Sequence, residues 1–214
     1  MSYYSIVRHY ERCLGEHGGG HLAVDWPNQE DADKRYEVMI GVIKPAGVWY
    51  SEQPLKTVLD FGCGVSGLWE WLERKGVWPY GHIHYEGLDI SPAFVAKCRE
   101  LYPSITYHCV DILTDPERVS EFDYVLMNGV LTEKRSLSWK EMWDYARQLL
   151  KAAWNITKVG LAFNVMSTHV DWQRNDLFHL PMDEAAHFIS GNLSRKFTFR
   201  QDYGLYEYTA YVYK

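Results

Sequence analysis

Three aspartates lie at or just beyond the ends of three successive segments whose apolar and β-branched residues predict strands. They are Asp60, Asp89 and Asp111, and the third follows the second by 22 residues. The carboxyl ends of parallel strands meet at one edge of a sheet, so we expect the three carboxylates to lie close together. A carboxylate accepts hydrogen bonds from hydroxyl, amino and ammonium groups. The pattern therefore predicts a site for one extended, polar ligand at that edge.

A glycine-rich turn follows the first predicted strand. Residues 62–67 read Gly-Cys-Gly-Val-Ser-Gly, a G-x-G-x-x-G pattern that comes before a predicted helix. Glycine lets the backbone approach a ligand closely, and the N-terminus of the helix offers unpaired N–H groups. Asp89, 22 residues beyond Gly67, is placed to accept hydrogen bonds from both hydroxyls of a ribose. The turn is typical of a dinucleotide or adenosyl site, and a tight turn without a ligand is the alternative.

Asp60 distinguishes between these ligand classes. An anion two residues before Gly62 would face the pyrophosphate of a dinucleotide at short range, which is unfavourable in a partly desolvated site. It suits a ligand that presents an ammonium group, as the methionine end of S-adenosylmethionine does. Asp111 is placed to accept a hydrogen bond from the adenine amino group, with Ile90 and Ile112 as apolar contacts to the ring. A helix cap is the alternative for Asp60 and for Asp111.

Strands and helices alternate through the middle of the chain, which predicts a parallel sheet with right-handed crossovers. The last two predicted strands, residues 196–200 and 206–213, have no helix between them and predict an antiparallel hairpin. The expected fold class is α/β, with a doubly wound, mostly parallel seven-stranded sheet, a C-terminal antiparallel hairpin and an N-terminal helical cap. Residues 1–50 are predicted to form the cap or lid, and residues 51–214 a Rossmann-like core, within one structural domain.

Four motifs resemble, in this order, those of class I S-adenosylmethionine-dependent methyltransferases. They are Val-Leu-Asp-Phe-Gly-Cys-Gly at 58–64, Gly-Leu-Asp-Ile-Ser at 87–91, Val-Asp-Ile at 110–112 and Phe-Asp-Tyr-Val-Leu-Met-Asn at 122–128. The resemblance covers roughly residues 31–165, and it implies S-adenosylmethionine as the cofactor and S-adenosylhomocysteine as its product. The cofactor-binding residues that we expect are Asp60, Gly62, Cys63, Gly64, Asp89, Ile90, Asp111, Ile112, Asn128 and Arg35. The family's third glycine falls on Ser66 here, which predicts a slightly altered turn.

The catalytic candidates lie on loops expected above the carboxyl edge of the sheet. Many small-molecule members of the family carry a histidine after the fourth strand, and Glu133 lies near that place in this chain. His169 and His179 lie in the long polar stretch after the fifth predicted strand, where a histidine is suited to act as general base or to bind substrate. A surface or structural role is the alternative for each histidine.

The substrate candidates are aromatic or polar residues of the predicted cap and of the loop after the fifth strand. They are Tyr4, His9, Tyr10, Trp26, Trp172 and Arg174. Aromatic rings at these places would form an apolar lid and offer their faces to a sulfonium cation. Helix packing is the alternative for the aromatic residues, and a solvated charge is the alternative for Arg174.

Composition narrows the class of protein. The chain has 214 residues, a net charge of −6, 15% aromatic residues and four cysteines without a CxxC pair. No apolar run is long enough to cross a membrane, and no broad basic surface is available for nucleic acid. We therefore expect a cytoplasmic protein, a monomer or homodimer, without a membrane or nucleic-acid partner. His82 and His84 share a strand face, but no third ligand is evident, and no metal is expected.

These features predict an enzyme that methylates an oxygen or nitrogen of a small metabolite, such as a natural-product intermediate or a sugar. The acidic balance and the aromatic cap favour a small substrate. Three alternatives remain open: methylation of a protein or an RNA, a nicotinamide-dependent oxidoreductase, and a non-catalytic subunit that binds S-adenosylmethionine.

Overall fold

Helices and strands alternate along most of the chain. The computed structural model describes residues 3–43, 55–75 and 83–214. Within these ranges the helices are α1 (Tyr4–His17), α2 (Gly20–Ala23), α3 (Gln29–Ile40), α4 (Gly67–Lys75), α5 (Pro92–Leu101), α6 (Trp139–Asn155) and α7 (Met182–Asn192). The strands are β1 (Lys56–Phe61), β2 (Ile83–Asp89), β3 (Thr106–Cys109), β4 (Phe122–Met127), β5 (Thr157–Met166), β6 (Lys196–Arg200) and β7 (Glu207–Tyr213).

The seven strands form one sheet in the order β3-β2-β1-β4-β5-β7-β6. β1 is parallel to β2 and to β4, and β3 and β5 extend this parallel arrangement on either side. β7 is antiparallel to both of its neighbours, β5 and β6. The predicted α/β fold with its C-terminal antiparallel hairpin is confirmed. The strand order reverses between β1 and β4, and ligands of such sheets bind outside the carboxyl ends of the strands at this switch point.

Side-chain caps mark where several helices begin. Asn28, Ser91 and Ser138 each accept a hydrogen bond from a backbone N–H group in the first turn of α3, α5 and α6. Glu141 completes a capping box at α6, and Pro92 occupies the first position of α5. These contacts satisfy N–H groups that have no partner inside the helix. Among the described helices, none is both long enough and apolar enough to cross a membrane.

Side chains of β1 alternate between two hydrophobic cores, one on each face of the sheet. Leu59 and Phe61 pack with residues of α6 and α7, whereas Val58 packs with residues of α3 and α4. This alternation follows from the two-residue period of a strand. Because helices cover both faces of the sheet, polar side chains such as that of Asp60 can contact a ligand mainly at the strand ends.

The C-terminal hairpin inserts β7 into the sheet between β5 and β6. Tyr208 is fully buried among the residues of the α6 and α7 side, and Tyr211 is buried on the opposite face. The Tyr211 hydroxyl donates a hydrogen bond to the carbonyl oxygen of Val38 in α3. The hairpin tyrosines therefore join the core to the N-terminal part of the chain.

The N-terminal segment contributes to two different layers. Tyr36, Met39 and Ile40 of α3 pack into the core on one face of the sheet, whereas Ile6 of α1 joins the core on the other face. α1 also contacts α2 and α5. The predicted boundary between residues 50 and 51 lies outside the described residues, as does His82.

Helix α7 is an element that the sequence pattern did not predict. Its buried residues are Ala185, Phe188 and Ile189, which form only a short apolar stripe. Asp183 and Glu184 lie in its first turn, where acidic side chains interact favourably with the helix dipole. The two acidic residues are a sequence signal for the start of a helix, but the long polar stretch that precedes them made this start hard to recognise.

Candidate active site

A cavity lies at the carboxyl edge of the sheet, at the switch point between β1 and β4. It brings together Asp60 of β1, Asp89 of β2, Asp111 after β3 and Asn128 after β4. The predicted cofactor residues that line this cavity are Asp60, Gly62, Cys63, Gly64, Asp89, Ile90, Asp111, Ile112 and Asn128. Side chains that lie up to 68 positions apart in the sequence therefore line the same cavity.

The glycine turn bends sharply at the end of β1. Gly62 and Gly64 have φ angles of 77° and 53°, a region that favours glycine. A Cβ atom at Gly62 would lie 2.5 Å from Cγ2 of Val130, and one at Gly64 would lie 2.6 Å from Cγ1 of Val24. The backbone N–H of Gly62 also donates a 2.7 Å hydrogen bond to the carbonyl oxygen of Leu88. The two glycines are thus required by both conformation and space.

Ser66 takes over the place of the family's third glycine. Its φ angle is 63°, and its hydroxyl donates a 2.7 Å hydrogen bond to the hydroxyl of Tyr107 and lies 3.3 Å from that of Tyr85. Gly67 follows, and Tyr36 packs so closely against it that a Cβ atom would not fit. The departure from the family pattern therefore comes with a buried hydroxyl network beneath the turn.

Asp60 is a buried acid at the end of β1, with 3% of its surface exposed. Its Oδ2 accepts a 2.7 Å hydrogen bond from the Tyr85 hydroxyl. Burial raises the pKa of Asp60 to about 7, with a further contribution from the charge of Asp89 and an opposing one from the hydrogen bond of Tyr85. A cationic group beside Asp60 would favour its ionised form.

Asp89 connects the glycine turn to the start of α5. Its Oδ2 accepts a hydrogen bond from the Gly64 N–H at 3.1 Å, and its Oδ1 accepts one from the Ser91 N–H at 2.9 Å. Burial raises the pKa of Asp89 to about 6, although these backbone N–H groups oppose the shift. Each carboxylate oxygen can accept two hydrogen bonds, and each of these two oxygens accepts one of the bonds just described. Both oxygens therefore have an acceptor position left for a ligand.

Asp111 contacts the N-terminal helix. Its Oδ2 accepts hydrogen bonds from the hydroxyls of Tyr3 at 2.6 Å and Tyr4 at 3.3 Å, and its Oδ1 accepts one from the Leu113 N–H. The ring of Tyr3 is stacked on that of Tyr145, with 4.8 Å between centroids. α1 is therefore docked onto this side of the cavity.

Asn128 presents a buried amide to the cavity. It is 9% exposed, and neither its Oδ1 nor its Nδ2 has a hydrogen-bond partner within the described part of the chain. A buried amide without partners is costly, and such groups are rare in folded proteins. A ligand that offers both a donor and an acceptor would satisfy it.

Arg35 takes part in a buried network and is not among the residues that line the cavity. Its Nε donates a 2.9 Å hydrogen bond to Glu207, whose other oxygen accepts one from Asn164. Asn164 in turn accepts a 2.7 Å hydrogen bond from the Gly129 N–H. The Arg35 guanidinium lies over the Trp26 ring, 5.1 Å from its centroid. The network thus supports Trp26 and the loop after β4, and Arg35 reaches the site only through them.

The three predicted catalytic residues are not among those that line the cavity. Glu133 is buried and forms a 3.1 Å ion pair with Arg135. His169 is exposed, and His179 is buried with its Nδ1 donating a hydrogen bond to the carbonyl oxygen of Ser167. The loop after β5 pairs with the loop after β4, since the Phe178 N–H donates a 2.7 Å hydrogen bond to the carbonyl oxygen of Thr132. This pairing still leaves His169 and His179 off the cavity wall.

The predicted substrate residues fall into two groups. Tyr10 and Trp26 line the cavity, and Tyr4 lies at its rim through the bond to Asp111. The others, His9, Trp172 and Arg174, are not among the lining residues. His9 contacts Asp25, Trp172 is 57% exposed beside Tyr206, and Arg174 forms an ion pair with Asp176.

Three tyrosines of the cavity wall are not among the predicted site residues given above. Tyr3 directly precedes α1, Tyr36 lies on α3 and Tyr145 on α6, and all three line the cavity. Tyr3 belongs to the aromatic cluster of the predicted cap, and Tyr36 follows Arg35 shortly before the first motif, so both positions carry a sequence signal. Tyr145 lies within an amphipathic helix, and its sequence context is that of an ordinary packing residue.

Comparison with known proteins agrees with this arrangement. A family model described as a methyltransferase domain matches residues 58–153. A protein of Mycobacterium tuberculosis named as a methyltransferase, Rv1506c, is 25% identical over 163 residues, which cover 74% of this chain and 93% of that protein.

Two solved structures share the fold over nearly the whole chain. The magnesium protoporphyrin IX methyltransferase of Synechocystis PCC 6803, solved with bound S-adenosylmethionine, gives a TM-score of 0.64 at 13% identity and covers 98% of this chain and 96% of its own. The plantazolicin methyltransferase BamL, solved with a substrate analogue and S-adenosylhomocysteine, gives 0.58 at 11% identity, with coverages of 99% and 98%. The match to the methyltransferase domain over residues 58–153, the ordered motifs and the strand order agree, and the chain is similar to class I S-adenosylmethionine-dependent methyltransferases and has their fold.

Proposed function

We propose that this chain transfers a methyl group from S-adenosylmethionine to an oxygen or nitrogen of a small metabolite. The observation that carries the proposal is the cavity at the carboxyl edge, where Asp60, Asp89 and Asp111 meet the glycine turn. Structural relatives named for magnesium protoporphyrin IX and for plantazolicin support an acceptor smaller than a protein or an RNA.

The residues of the cavity fit this cofactor. The glycine turn has no room for Cβ atoms, which would meet Val130 and Val24 of the cavity wall, and Asp60 supplies a carboxylate suited to an ammonium group. Asp89 retains acceptor positions for two ribose hydroxyls. We assign the adenine ring to Asp111 with Ile90 and Ile112, as the resemblance implies. Arg35 is assigned a supporting role behind Trp26.

When bound, S-adenosylmethionine supplies a methyl group on a positively charged sulfur. The chain's own residues align the acceptor and exclude water. Tyr10, Trp26 and Val130 provide cavity walls with large apolar areas. Asn128 offers its unpartnered amide as a donor and an acceptor, which suits an oxygen or nitrogen that must be held in line with the methyl group.

Glu133 is the candidate for a general base among the three predicted catalytic residues. Its charge acts on Tyr10, a residue of the cavity wall. Burial raises the pKa of Glu133 above its ordinary range, and Arg135 opposes the shift. A raised pKa makes a carboxylate a stronger base. His169 and His179 keep structural or surface roles in this proposal.

Titration calorimetry with S-adenosylmethionine, S-adenosylhomocysteine and NADH tests the proposed function. We expect both adenosyl ligands to bind and NADH not to bind. Binding of NADH alone would favour the oxidoreductase alternative and overturn the proposal. If the adenosyl ligands bind, the protein is next incubated with S-adenosylmethionine and each of a panel of small acceptors, and mass spectrometry measures the S-adenosylhomocysteine that is released. An enzyme would release this product with at least one acceptor, whereas a non-catalytic subunit would release none.

We also propose a cytoplasmic location. All four cysteines are unpaired, and three of them are buried, as expected for a protein in a reducing compartment. A monomer or homodimer remains our expectation for the oligomeric state, and sedimentation velocity of the purified chain is the direct measurement.

A further inference from the structure

A histidine, a cysteine and an aspartate meet beside the N-terminal helix, outside the cavity described above. His9 and Cys13 lie one turn apart on α1, and Asp25 lies in the segment between α2 and α3. One ligand atom of each residue, the Nε2, the Sγ and a carboxylate oxygen, lies within 4.8 Å of the other two. His9 and Cys13 are buried, whereas the Asp25 side chain is 40% exposed. The three residues are not among those that line the cavity.

The spacing of these atoms is close to that of a tetrahedral metal site. The Nε2 of His9 lies 2.8 Å from Oδ2 of Asp25 and 3.8 Å from Sγ of Cys13. Around a tetrahedral Zn²⁺ ion, with bonds of about 2.0–2.3 Å, neighbouring ligand atoms lie about 3.3–3.6 Å apart. A shift of about 0.5 Å or less would bring both pairs to this spacing. The exposed side chain of Asp25 has room to make it.

The three side chains form a donor set that suits zinc. Structural zinc sites use imidazole nitrogen, thiolate sulfur and carboxylate oxygen as ligands. Magnesium and calcium prefer oxygen ligands, so the sulfur of Cys13 argues against them. Three protein ligands leave one tetrahedral position for water, which can reach the cluster on the exposed side of Asp25.

The charges that act on the sulfur favour a cation. Burial raises the pKa of the Cys13 thiol, and the charges of Asp25 and Glu16 raise it further. Arg12 and Arg135 lower the pKa of Cys13, but each acts more weakly than either acid does. The local potential at the sulfur is therefore negative, and it attracts a metal ion.

An open groove on the outer side of α1 leads to the cluster. His9 lines this groove together with Arg135 and Asp176. Arg135 pairs with Asp176 at 3.4 Å and with Glu133 at 3.1 Å, so these two carboxylates balance its charge. Arg8 also lines the groove but is exposed, and water and salt screen its charge. An ion can therefore approach His9 from solvent.

Arg12 is the group that a metal ion would displace. Its Nη2 donates a 3.1 Å hydrogen bond to Nδ1 of His9, so the imidazole proton is on Nε2 and is donated to Asp25. A metal ion on Nε2 moves that proton to Nδ1, to which Arg12 can then no longer donate. The Arg12 side chain is 61% exposed, and its Nε lies 3.9 Å from Glu16, so it can turn to that carboxylate.

The cluster joins two segments that line the cavity. Asp25 stands between Val24 and Trp26, which both line the cavity, and Tyr10 of α1 lines it as well. The φ angle of Asp25 is 58°, which is uncommon for a residue other than glycine. Residues in such conformations concentrate at functional sites and ligand clamps. An ion bound by both segments would hold α1 at the cavity.

We propose that His9, Cys13 and Asp25 bind one Zn²⁺ ion, which fastens α1 to the segment before α3. When the ion binds, the Cys13 thiol releases its proton to solvent and its sulfur forms a bond to zinc. The imidazole stays neutral because its proton moves from Nε2 to Nδ1, and water completes the tetrahedron. The ion takes no part in methyl transfer, so the site is independent of the proposed function. The sequence did not predict this site, since Asp25 joins the other two residues only through the fold.

Metal titration tests the site in a chain that has been freed of metal with EDTA and kept reduced. We expect one equivalent of Zn²⁺ to bind, and Co²⁺ in its place to give the near-ultraviolet charge-transfer band of a cobalt–thiolate bond. Cys13→Ser should abolish this band. The control Cys109→Ser, which changes a half-buried thiol at the end of β3, should retain it. A band that persists in Cys13→Ser, or no saturable binding of Zn²⁺ to the unmodified chain, would overturn the proposal.

Two further variants test the site without changing a buried side chain. Asp25→Asn removes a charged ligand, and asparagine tolerates the left-handed backbone conformation, so the Kd of Zn²⁺ should rise at least about tenfold. Arg12→Gln removes the cation that competes for His9, so the Kd should fall at least about threefold. His187→Gln changes an exposed imidazole on α7 and should leave the Kd within about twofold. An unchanged Kd in Asp25→Asn would place the ion elsewhere and overturn the proposal.

Hydrogen exchange tests whether the ion fastens α1. With Zn²⁺ bound, the amide groups of α1 should exchange at least about tenfold more slowly than without it, because the ion binds only the docked helix. The amide groups of α7, which contributes no ligand, are the internal control and should not change. Equal exchange of α1 with and without Zn²⁺ would overturn the proposed role. Circular dichroism of each variant confirms that it is folded.

Discussion

The hydroxyl of Tyr3 donates a 2.6 Å hydrogen bond to Oδ2 of Asp111, the carboxylate proposed to accept the adenine amino group. The two residues are 108 positions apart in the chain. Burial and the neighbouring carboxylate raise the pKa of the Tyr3 hydroxyl, which therefore stays protonated and remains a donor. The N-terminal helix is thus held at the cavity by an atom that the cofactor is also proposed to use.

Replacing Tyr3 by phenylalanine should strengthen cofactor binding. The ligand-free protein would lose a hydrogen bond that competes with adenine for Asp111, and a single hydrogen bond contributes about 0.5–1.5 kcal/mol. The Kd of S-adenosylhomocysteine, measured by calorimetry, should fall about 2- to 10-fold. Tyr4→Phe is the control, because its 3.3 Å bond to the same oxygen is longer and exposed. Weaker binding by Tyr3→Phe would show that Tyr3 supports the bound state.

Asp89→Ala should weaken adenosyl binding by about 1.5–3 kcal/mol, the range for hydrogen bonds to a charged group. The same change should also lower stability, because the N–H groups of Gly64 and Ser91 lose their acceptor. Calorimetry with S-adenosylhomocysteine and urea unfolding measure the two effects. Asp202→Ala removes an exposed aspartate that pairs with Arg200, and it should change neither. An unchanged affinity in Asp89→Ala would mean that the ribose is bound elsewhere.

The free energy of unfolding should fall as pH rises toward neutrality. Burial raises the pKa of Asp60 to about 7 and that of Asp89 to about 6, from an ordinary value of 3.8. Between about pH 4 and pH 7 the folded protein therefore binds more protons than the unfolded chain, and stability is lost as those protons leave. For Asp60 alone the effect is on the order of 4 kcal/mol at most.

Urea unfolding at pH 5 and pH 7.5 measures this dependence. Asp60→Asn keeps an acceptor for the Tyr85 hydroxyl but cannot ionise. Between pH 5 and pH 7.5 the variant should therefore lose less stability than the unmodified chain, by a difference of at least about 1 kcal/mol.

The charge of Asp60 should also affect cofactor binding. The ammonium group of the cofactor should bind more tightly as pH rises through 7, because Asp60 then carries its charge. If Asp60→Asn shows the same pH dependence, another group is responsible.

Two glycine substitutions should have opposite effects. Gly62→Ala places a Cβ atom 2.5 Å from Val130 at a φ angle of 77°, so we expect it to lower stability by about 1–3 kcal/mol and to weaken S-adenosylhomocysteine binding at least tenfold. Gly191 lies in α7 with no atom within 4 Å of an added Cβ. Gly191→Ala should therefore raise stability by up to about 1 kcal/mol and leave binding unchanged. Thermal melting and calorimetry measure both. Tight binding by Gly62→Ala would contradict the proposed role of the turn.

The expected cofactor-binding residues could be predicted from the sequence because the signals that mark them are local. A strand that ends in Asp60, a turn of glycines and an acid at each following strand end are each set by a few neighbouring residues. The parallel topology then brings these ends to one edge, and the structure places all of them around one cavity. The exception among the predicted cofactor residues is Arg35, whose partner Glu207 is 172 positions away.

The residues that contact the methyl acceptor could not be predicted from the sequence in the same way. His169 and His179 have suitable chemistry, but His169 is exposed, His179 donates to the carbonyl oxygen of Ser167, and neither lines the cavity. His9 is predicted to contact the substrate, yet the structure pairs it with Asp25 and Arg12 and leaves it off the cavity wall.

The sequence by itself therefore determined the fold class, the resemblance to class I methyltransferases and the strand-end residues that line the cavity, since local hydrophobic pattern and turn chemistry specify strand ends. Only the tertiary structure decided that Tyr3 contacts Asp111, that Tyr145 lines the cavity and that Arg35 pairs with Glu207. These contacts join segments far apart in the chain, and they depend on how the helices dock on the sheet. No local preference of the backbone encodes that docking.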